Sequence, residues 1–186
     1  MAPTGHIHRA IYSGSFDPVT LGHLDVIQRG RRMFDDVIVA IGRNISKREL
    51  FTLPRRRQMV EQLIAEMQNG DPASGNVRVE TYQGLTVDFA RSVDATVILR
   101  GIRNISDLAY ECQLAMTNRQ VANIETVFVV TDQAFSYTSS SLIRQIAALG
   151  GDLDSLSAII PPVVIEALKE MKAARGFEYL IEDHVE

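Results

Sequence analysis

Short apolar runs rich in β-branched residues alternate along this chain with segments whose apolar residues recur at helical spacing. The runs that predict buried strands are residues 10–12, 37–41, 77–79, 96–99 and 127–130. Consecutive strands joined through a helix pair in parallel, because the crossover returns the chain to the same edge of the sheet. The alternation therefore predicts an α/β fold in which crossover helices cover a mostly parallel sheet.

The composition is that of one folded domain. Of the 186 residues 46% are hydrophobic, which is enough to bury a full core and argues against disorder. The turn-forming stretch 69–76 is interpreted as a surface loop, because the strand–helix rhythm resumes directly after it. We expect a flexible leader at residues 1–8, a single domain at 9–175 and an acidic tail at 176–186.

The net charge, the cysteine content and the apolar runs argue against several classes of partner and site. A net charge of −4 does not favour a nucleic-acid surface, whereas a small anionic ligand fits it well. The single cysteine, Cys112, excludes an intrachain disulfide and a cysteine-based zinc cluster. No apolar run approaches the roughly 18 residues that span a bilayer, and residues 1–8 lack the apolar core of a signal peptide. We expect a cytoplasmic protein without nucleic-acid or membrane partners.

The segment GSFDPVTLGH, residues 14–23, says most about function. It lies between the first predicted strand and a predicted helix, where parallel α/β proteins place phosphate sites. Its glycines allow the backbone to approach a ligand closely, and His23 stands where the free N–H groups of a helix start favour anions.

Four motifs in this order carry a resemblance to a known family. They are Gly14–Pro18 with Thr20 and Gly22–His23, residues 45–48, residues 99–103 with Tyr110 and Glu111, and residues 137–144. Over about residues 9–171 the chain resembles the bacterial phosphopantetheine adenylyltransferase family of the nucleotidylyltransferase superfamily. With the strand pattern, this predicts an α/β, single-domain, Rossmann-like, doubly wound parallel sheet with C-terminal helices.

The resemblance implies an enzyme of coenzyme A biosynthesis. It would transfer the adenylyl group of ATP to 4′-phosphopantetheine, giving dephospho-coenzyme A and pyrophosphate by direct in-line displacement. Mg²⁺ would accompany ATP, with no dedicated metal site on the chain, since Mg²⁺ commonly binds through substrate phosphates and water. The resemblance also implies a homohexamer.

Such a reaction needs positive charges and N–H donors more than a base. A phosphate monoester is already largely dianionic at neutral pH, with a second pKa of about 6. What limits the rate is bringing two anions into line and stabilising the charge that spreads over the transferring phosphate. We therefore expect His23 to act as a hydrogen-bond donor and Lys47 as a point charge that approaches both phosphates. By resemblance, Ser15 contacts both substrates, which makes His23, Lys47 and Ser15 the predicted catalytic residues.

The resemblance divides the other candidates between the two substrates. Arg103 would hold the ATP phosphates, and Arg100 the acceptor phosphate, through forks that suit phosphate oxygens. Glu111 is either a nucleotide contact or a helix-face acid that pairs with a nearby base. The predicted ATP-binding residues are Ser15, Phe16, His23, Gly101, Ile102, Arg103, Glu111, Phe135, Ser136, Tyr137, Thr138, Ser139, Ser140 and Ser141. The predicted acceptor-binding residues are Ser15, Lys47, Leu85, Thr86, Arg100, Leu114 and Asn118.

Two other functions stay open at this point. A mononucleotide adenylyltransferase or a cytidylyltransferase could share Gly22 and His23, although Lys47 and residues 100–103 favour the pantetheine acceptor. A non-catalytic nucleotide-binding module would keep the fold, but the presence of His23 and Lys47 argues against it.

Overall fold

Five strands form one parallel sheet. The computed structural model describes residues 7–43, 48–72, 74–174 and 177. The strands run in the order β3-β2-β1-β4-β5, and every neighbouring pair is parallel. Their bounds are β1 Arg9–Gly14, β2 Asp36–Ile41, β3 Asn76–Thr81, β4 Val97–Ile102 and β5 Glu125–Val130. All five strands predicted from the apolar runs are confirmed.

Helices cover both faces of the sheet, as the doubly wound fold requires. They are α1 Leu21–Gly30, α2 Leu53–Gly70, α3 Thr86–Ser92, α4 Ile105–Ala122, α5 Ser140–Ala148 and α6 Pro162–Ala173. Side chains of α1, α2, α5 and α6 share one large apolar cluster, and α3 and the end of α4 contribute to a smaller one. Along β1, Ala10 and Tyr12 belong to the large cluster and Ile11 to the small one, because successive side chains of a strand point to opposite faces.

The strand order creates a crevice at the carboxyl edge of the sheet. From β1 the chain winds outward through β2 and β3, and it then crosses over to β4 on the other side of β1. The loops after β1 and β4 therefore leave the sheet in opposite directions, and ligands of open α/β sheets bind at such a point.

The observed strands extend beyond the predicted runs, and at β4 this moves residues of the predicted site into the strand. We expected Arg100, Gly101 and Ile102 to follow the fourth strand, but β4 continues to Ile102 and only Arg103 lies beyond it. The extension is stabilised by pairing with β5, where Gly101 lies opposite Val129. Of the expected leader the structure describes Ile7 and His8, and of the expected tail only Phe177, which is buried in the large cluster.

A buried arginine stabilises the turn between α2 and β3 through hydrogen bonds. Arg31, directly after α1, is 2% exposed and donates to the carbonyl oxygens of Asp71 (2.7 Å), Gly75 (3.0 Å) and Met67 (3.2 Å). Gly75 itself lies so close to the α1–β2 connection that a Cβ there would stand 2.1 Å from the carbonyl oxygen of Phe34. The α2–β3 turn is thus packed backbone against backbone on the turn that follows α1.

This contact predicts that alanine destabilises the protein at Gly75 but not at Gly70. Gly75→Ala should lower the free energy of unfolding by about 1–3 kcal/mol or more, because the added methyl meets rigid backbone. Gly70→Ala is the matched control: a Cβ at Gly70 meets nothing within 4 Å, and alanine favours the helix that Gly70 ends. Urea unfolding of both variants measures the difference. Equal stability of the two variants would contradict the contact.

Candidate active site

The start of α1 fixes the chemistry of His23. Thr20 caps the helix and accepts a hydrogen bond from the backbone N–H of His23 (3.3 Å). In return, Nδ1 of His23 accepts from the backbone N–H of Thr20 (3.0 Å). Because Nδ1 is the acceptor in this capping box, the proton of the neutral ring is on Nε2. His23 thus offers a donor to whatever lies beyond the helix start.

The surroundings keep this histidine neutral. Burial of the ring is the main cause that lowers the pKa of His23 to about 4, and the positive charges of Arg103 and Arg100 lower it further. The ring packs on the edge of Phe16, at 5.1 Å between centroids, and Phe16 packs in turn on Tyr12 at 5.4 Å. At neutral pH the imidazole is therefore an uncharged donor held in place by aromatic contacts.

The loop after β1 has an unusual backbone. Phe16 has a φ of 47°, a left-handed value that is an outlier for an aromatic residue, and its side chain is 1% exposed. A nucleotide could therefore meet Phe16 through its backbone rather than through its ring. Such a conformation persists only where the surrounding structure enforces it.

Arg56 supplies much of that enforcement. This residue of α2 is 1% exposed. Its guanidinium donates to the carbonyl oxygens of Ser15 (2.8 Å), Phe51 (3.0 Å) and Gly42 (3.3 Å), and to the carboxylate of Glu49 (2.7 Å). One side chain thus joins the loop after β1, the loop after β2 and the segment that leads into α2.

A second charged group ties the same loop to α5. The carboxylate of Asp17, 4% exposed, accepts from the backbone N–H groups of Leu50 (2.7 Å) and Phe51 (2.8 Å) and from Arg144 (2.9 Å). Burial raises the pKa of Asp17, and these hydrogen bonds and the Arg144 charge oppose that shift. The link brings the first turns of α5 to the loop that carries Ser15 and leads into α1 with His23.

Arg100 and Glu111 form an ion pair across β4 and α4. The guanidinium donates to both carboxylate oxygens, with Nε at 2.8 Å, and to the carbonyl oxygen of Ser13 at 2.6 Å. Burial opposes the charge on Arg100, but the bonds and charge of Glu111 outweigh it and raise the pKa of Arg100. Glu111 thus pairs with a nearby base, and its contact with the nucleotide stays a prediction.

Arg103 connects the end of β4 with the segment before α5. It binds both oxygens of Asp107, at 2.7 and 3.1 Å, and donates to the carbonyl oxygen of Thr138 at 2.6 Å. Thr138 is 3% exposed, and among the described residues its hydroxyl oxygen has no hydrogen-bond partner. Arg103 therefore stands beside the other predicted nucleotide segment.

The segment 135–141 packs against the start of α1. Phe135 ends a 3₁₀ turn and lies so close to Gly22 that a Cβ there would stand 3.3 Å from it. Ser139 is the N-cap residue of α5, and the hydroxyl of Ser140 donates to the carbonyl oxygen of Pro18 (2.9 Å). Ser15, Ser140, Ser141, Arg48 and Arg144 are among the residues that line an adjoining cavity. Asp17 and Glu49 line it too, but they pair with Arg144 and Arg56. The arginines outnumber these acids, and with the hydroxyls they suit an anion. Ser136 and Tyr137 complete the segment, and the side chain of Tyr137 is exposed.

The other predicted acceptor residues belong to α4 and to the start of α3. Leu114 and Asn118 are half-buried on the face of α4 that also carries Glu111. Leu85 precedes α3 and is 64% exposed, so it is not core packing. Thr86 begins α3, and its hydroxyl lies 2.8 Å from that of Tyr82. Lys47 lies outside the described residues.

Some residues of this site were not predicted. Arg56 lies three, four and seven positions before Met59, Val60 and Leu63, which are all buried, so the helical period places it on the buried face of α2. An arginine on an apolar face signals a specific internal role, because such a charge is rarely buried unless it is paired. Tyr82 and the Asp17–Arg144 link carry no comparable signal in the sequence.

Two absences hold within the described part of the chain. In residues 7–43, 48–72, 74–174 and 177, no helix combines the length and apolar character that a bilayer crossing needs. Within the same ranges, no group of three or more His, Cys, Asp or Glu side chains is placed to hold a metal ion.

Comparison with known proteins agrees with this geometry. The cytidylyltransferase-like family model matches residues 11–146. The phosphopantetheine adenylyltransferase of Geobacter metallireducens is 45% identical over 87% of this chain and 93% of its own length. That of Thermosynechococcus vestitus is 47% identical over 79% of this chain and 84% of its own. The fold is shared with Plasmodium falciparum nicotinic acid mononucleotide adenylyltransferase, at 17% identity, 89% and 96% coverage and a TM-score of 0.63. The chain therefore belongs to the cytidylyltransferase-like family, and within it to the phosphopantetheine adenylyltransferases.

Proposed function

We propose that this chain transfers the adenylyl group of ATP to 4′-phosphopantetheine, giving dephospho-coenzyme A and pyrophosphate in coenzyme A biosynthesis. The observation that carries the proposal is the meeting of the neutral donor His23 with Arg100 and Arg103 at the switch point of the sheet. The names of the relatives, which are 45–47% identical to this chain over most of its length, supply the acceptor.

The arrangement suits direct displacement at the α-phosphate. An oxygen of the acceptor phosphate forms the new bond to the α-phosphorus, the bond to the bridging oxygen breaks, and pyrophosphate leaves with that electron pair. No proton needs to be removed from the dianionic attacking phosphate. The Nε2–H of His23 would donate to the α-phosphate, where charge accumulates in the transition state. Lys47 would add a mobile positive charge to both phosphates.

The two substrates would occupy opposite sides of His23. For ATP we propose the backbone of Ser15 and Phe16, residues 101–103 and the segment 135–141, with the N-terminal N–H groups of α5 facing the phosphates. For the acceptor we propose Arg100, together with Leu85, Thr86, Leu114 and Asn118, while Glu111, the partner of Arg100, stays on the nucleotide side.

Mg²⁺ would enter with ATP. Asp17 is a buried acid that lines the cavity beside the serines of α5, but two backbone N–H groups and Arg144 already hold its carboxylate. Mg²⁺ is readily bound by phosphate oxygens and water, with few protein ligands. Bound in that way, the ion would neutralise part of the triphosphate charge.

A cytoplasmic location and a homohexamer complete the proposal. One cysteine in 186 residues fits a reducing compartment. Helix α4 buries only Glu111 and Ala122 within the chain, while Ile105, Tyr110 and Met116 on it are 64% exposed or more. Apolar surface of this kind marks an interface.

We expect light scattering on the eluted protein to give six times the 20.7 kDa mass of one chain. A monomer at micromolar concentration would contradict the assembly.

The test of the function is pyrophosphate release. Mg-ATP with 4′-phosphopantetheine should release pyrophosphate, whereas nicotinamide mononucleotide, nicotinate mononucleotide, and CTP with glycerol 3-phosphate should not. Release with one of those sets would reassign the acceptor. If folded protein releases no pyrophosphate with any of these substrate sets, a non-catalytic nucleotide-binding module is favoured.

His23→Ala should lower kcat at least about 100-fold, because the variant loses a donor to the transition state. The KM for ATP should change little. His8→Ala is the matched control, since His8 is exposed and precedes β1 at the opposite edge of the sheet. Steady-state kinetics on both variants measure the effect. A near-normal kcat in folded His23→Ala would refute the donor role.

Arg100→Ala should raise the KM for 4′-phosphopantetheine about tenfold or more, because a charge-assisted bond to its phosphate is lost. The KM for ATP should rise less than about threefold. The change also leaves Glu111 without its partner, so a melting curve with and without ATP must accompany the kinetics. Equal losses for both substrates would contradict the proposed division.

A further inference from the structure

Two hydroxyl groups meet at the acceptor side of the site. Tyr82 follows β3 directly, and Thr86 is the first residue of α3. Their oxygens lie 2.8 Å apart, which is hydrogen-bond distance. Both residues are half-buried, so the pair borders the crevice rather than the core.

The tyrosine ring is held on both sides. It stacks on Phe89 of α3 with 4.9 Å between centroids and 21° between planes. Its hydroxyl end faces the backbone of Gly42, where an added Cβ would come within 2.9 Å. The backbone N–H of Tyr82 donates to the carbonyl oxygen of Ile41 (3.1 Å). The hydroxyl is therefore fixed at the carboxyl end of β2.

This position is next to the group that we assign to the acceptor phosphate. The backbone N–H of Gly42, which the Tyr82 hydroxyl faces, donates to the carbonyl oxygen of Gly14 (3.0 Å). Ser13, directly before Gly14, accepts a hydrogen bond from Arg100 through its own carbonyl oxygen (2.6 Å). Leu85, exposed and adjacent to Thr86, supplies an apolar neighbour. A phosphate held by Arg100 would thus leave the rest of the acceptor close to the two hydroxyls.

The hydroxyl pair has one proton left that it can donate to a ligand. Two hydroxyls carry two protons, and the bond between them uses one, whichever group donates. Among the described residues, no other group accepts the second proton. A ligand that displaces water from this spot must offer an acceptor there, because a desolvated hydroxyl without a partner weakens binding.

We propose that the Tyr82–Thr86 hydroxyl pair binds the peptide-like arm of the acceptor and donates its second proton to an amide carbonyl. The inference rests on the proposed function and adds to it a determinant of acceptor specificity. The pair selects for a phosphate monoester with a carbonyl a few bonds from the phosphate, because only such an arm satisfies the hydroxyl. ATP does not contact it.

The test separates the two substrates kinetically. Tyr82→Phe keeps the stacked ring and removes one hydroxyl, and Thr86→Val removes the other at similar volume. Each should raise the KM for 4′-phosphopantetheine about three- to tenfold, the loss expected for one neutral hydrogen bond. The kcat and the KM for ATP should stay within about twofold. Thr96→Val is the matched control, because Thr96 is exposed and precedes β4 at the opposite edge.

Each outcome either supports or overturns the proposed role of the hydroxyl pair. An unchanged KM for the acceptor in both hydroxyl variants would overturn the inference while the wild type remains active. So would an equal rise in the KM for ATP, or the same rise in Thr96→Val, since a general loss of structure would cause either. Wild-type protein that releases no pyrophosphate would instead overturn the proposed function, and the inference with it.

Discussion

The geometry of the site depends on the buried positive charge of Arg56. The guanidinium of Arg56 lies among three backbone carbonyl groups and one carboxylate, and those groups belong to the two loops that follow β1 and β2. A buried charge is costly unless every donor is used. The same requirement works in reverse, because the loops cannot move apart without leaving that charge unpaired. The left-handed backbone at Phe16 is sustained by this arrangement.

A second constraint follows from the helix that begins at Leu21. Its cap uses Nδ1 of His23, so a local feature of helix stability also determines which ring nitrogen carries the proton. The two nearby arginines attract phosphate and at the same time keep the imidazole uncharged. Two features that stabilise the apo structure thus prepare a donor for a negatively charged transition state, without any group that must change its protonation.

Periodicity predicted the sheet well, because each strand contains apolar residues that stand out from the helical segments, even in β5, where only Val129 is buried. It ended β4 too early, since Arg100 interrupts the apolar run although pairing with β5 continues to Ile102. The motif residues were visible because their side chains carry the chemistry. Arg56 was overlooked because its partners are mostly backbone carbonyls, which every residue type has. The contact between Tyr82 and Thr86 depends on a turn geometry that no local pattern encodes.

The carboxylate of Asp17 joins three parts of the chain that are far apart in sequence. Leu50 is 33 positions away and Arg144 is 127 positions away. Contacts of such long range require the loss of much chain entropy before they form. During synthesis the strands β1 to β3 can pair early, but this centre remains open until the residues of α5 have left the ribosome. The competence to bind nucleotide is therefore acquired late in folding, as a property of nearly the whole polypeptide.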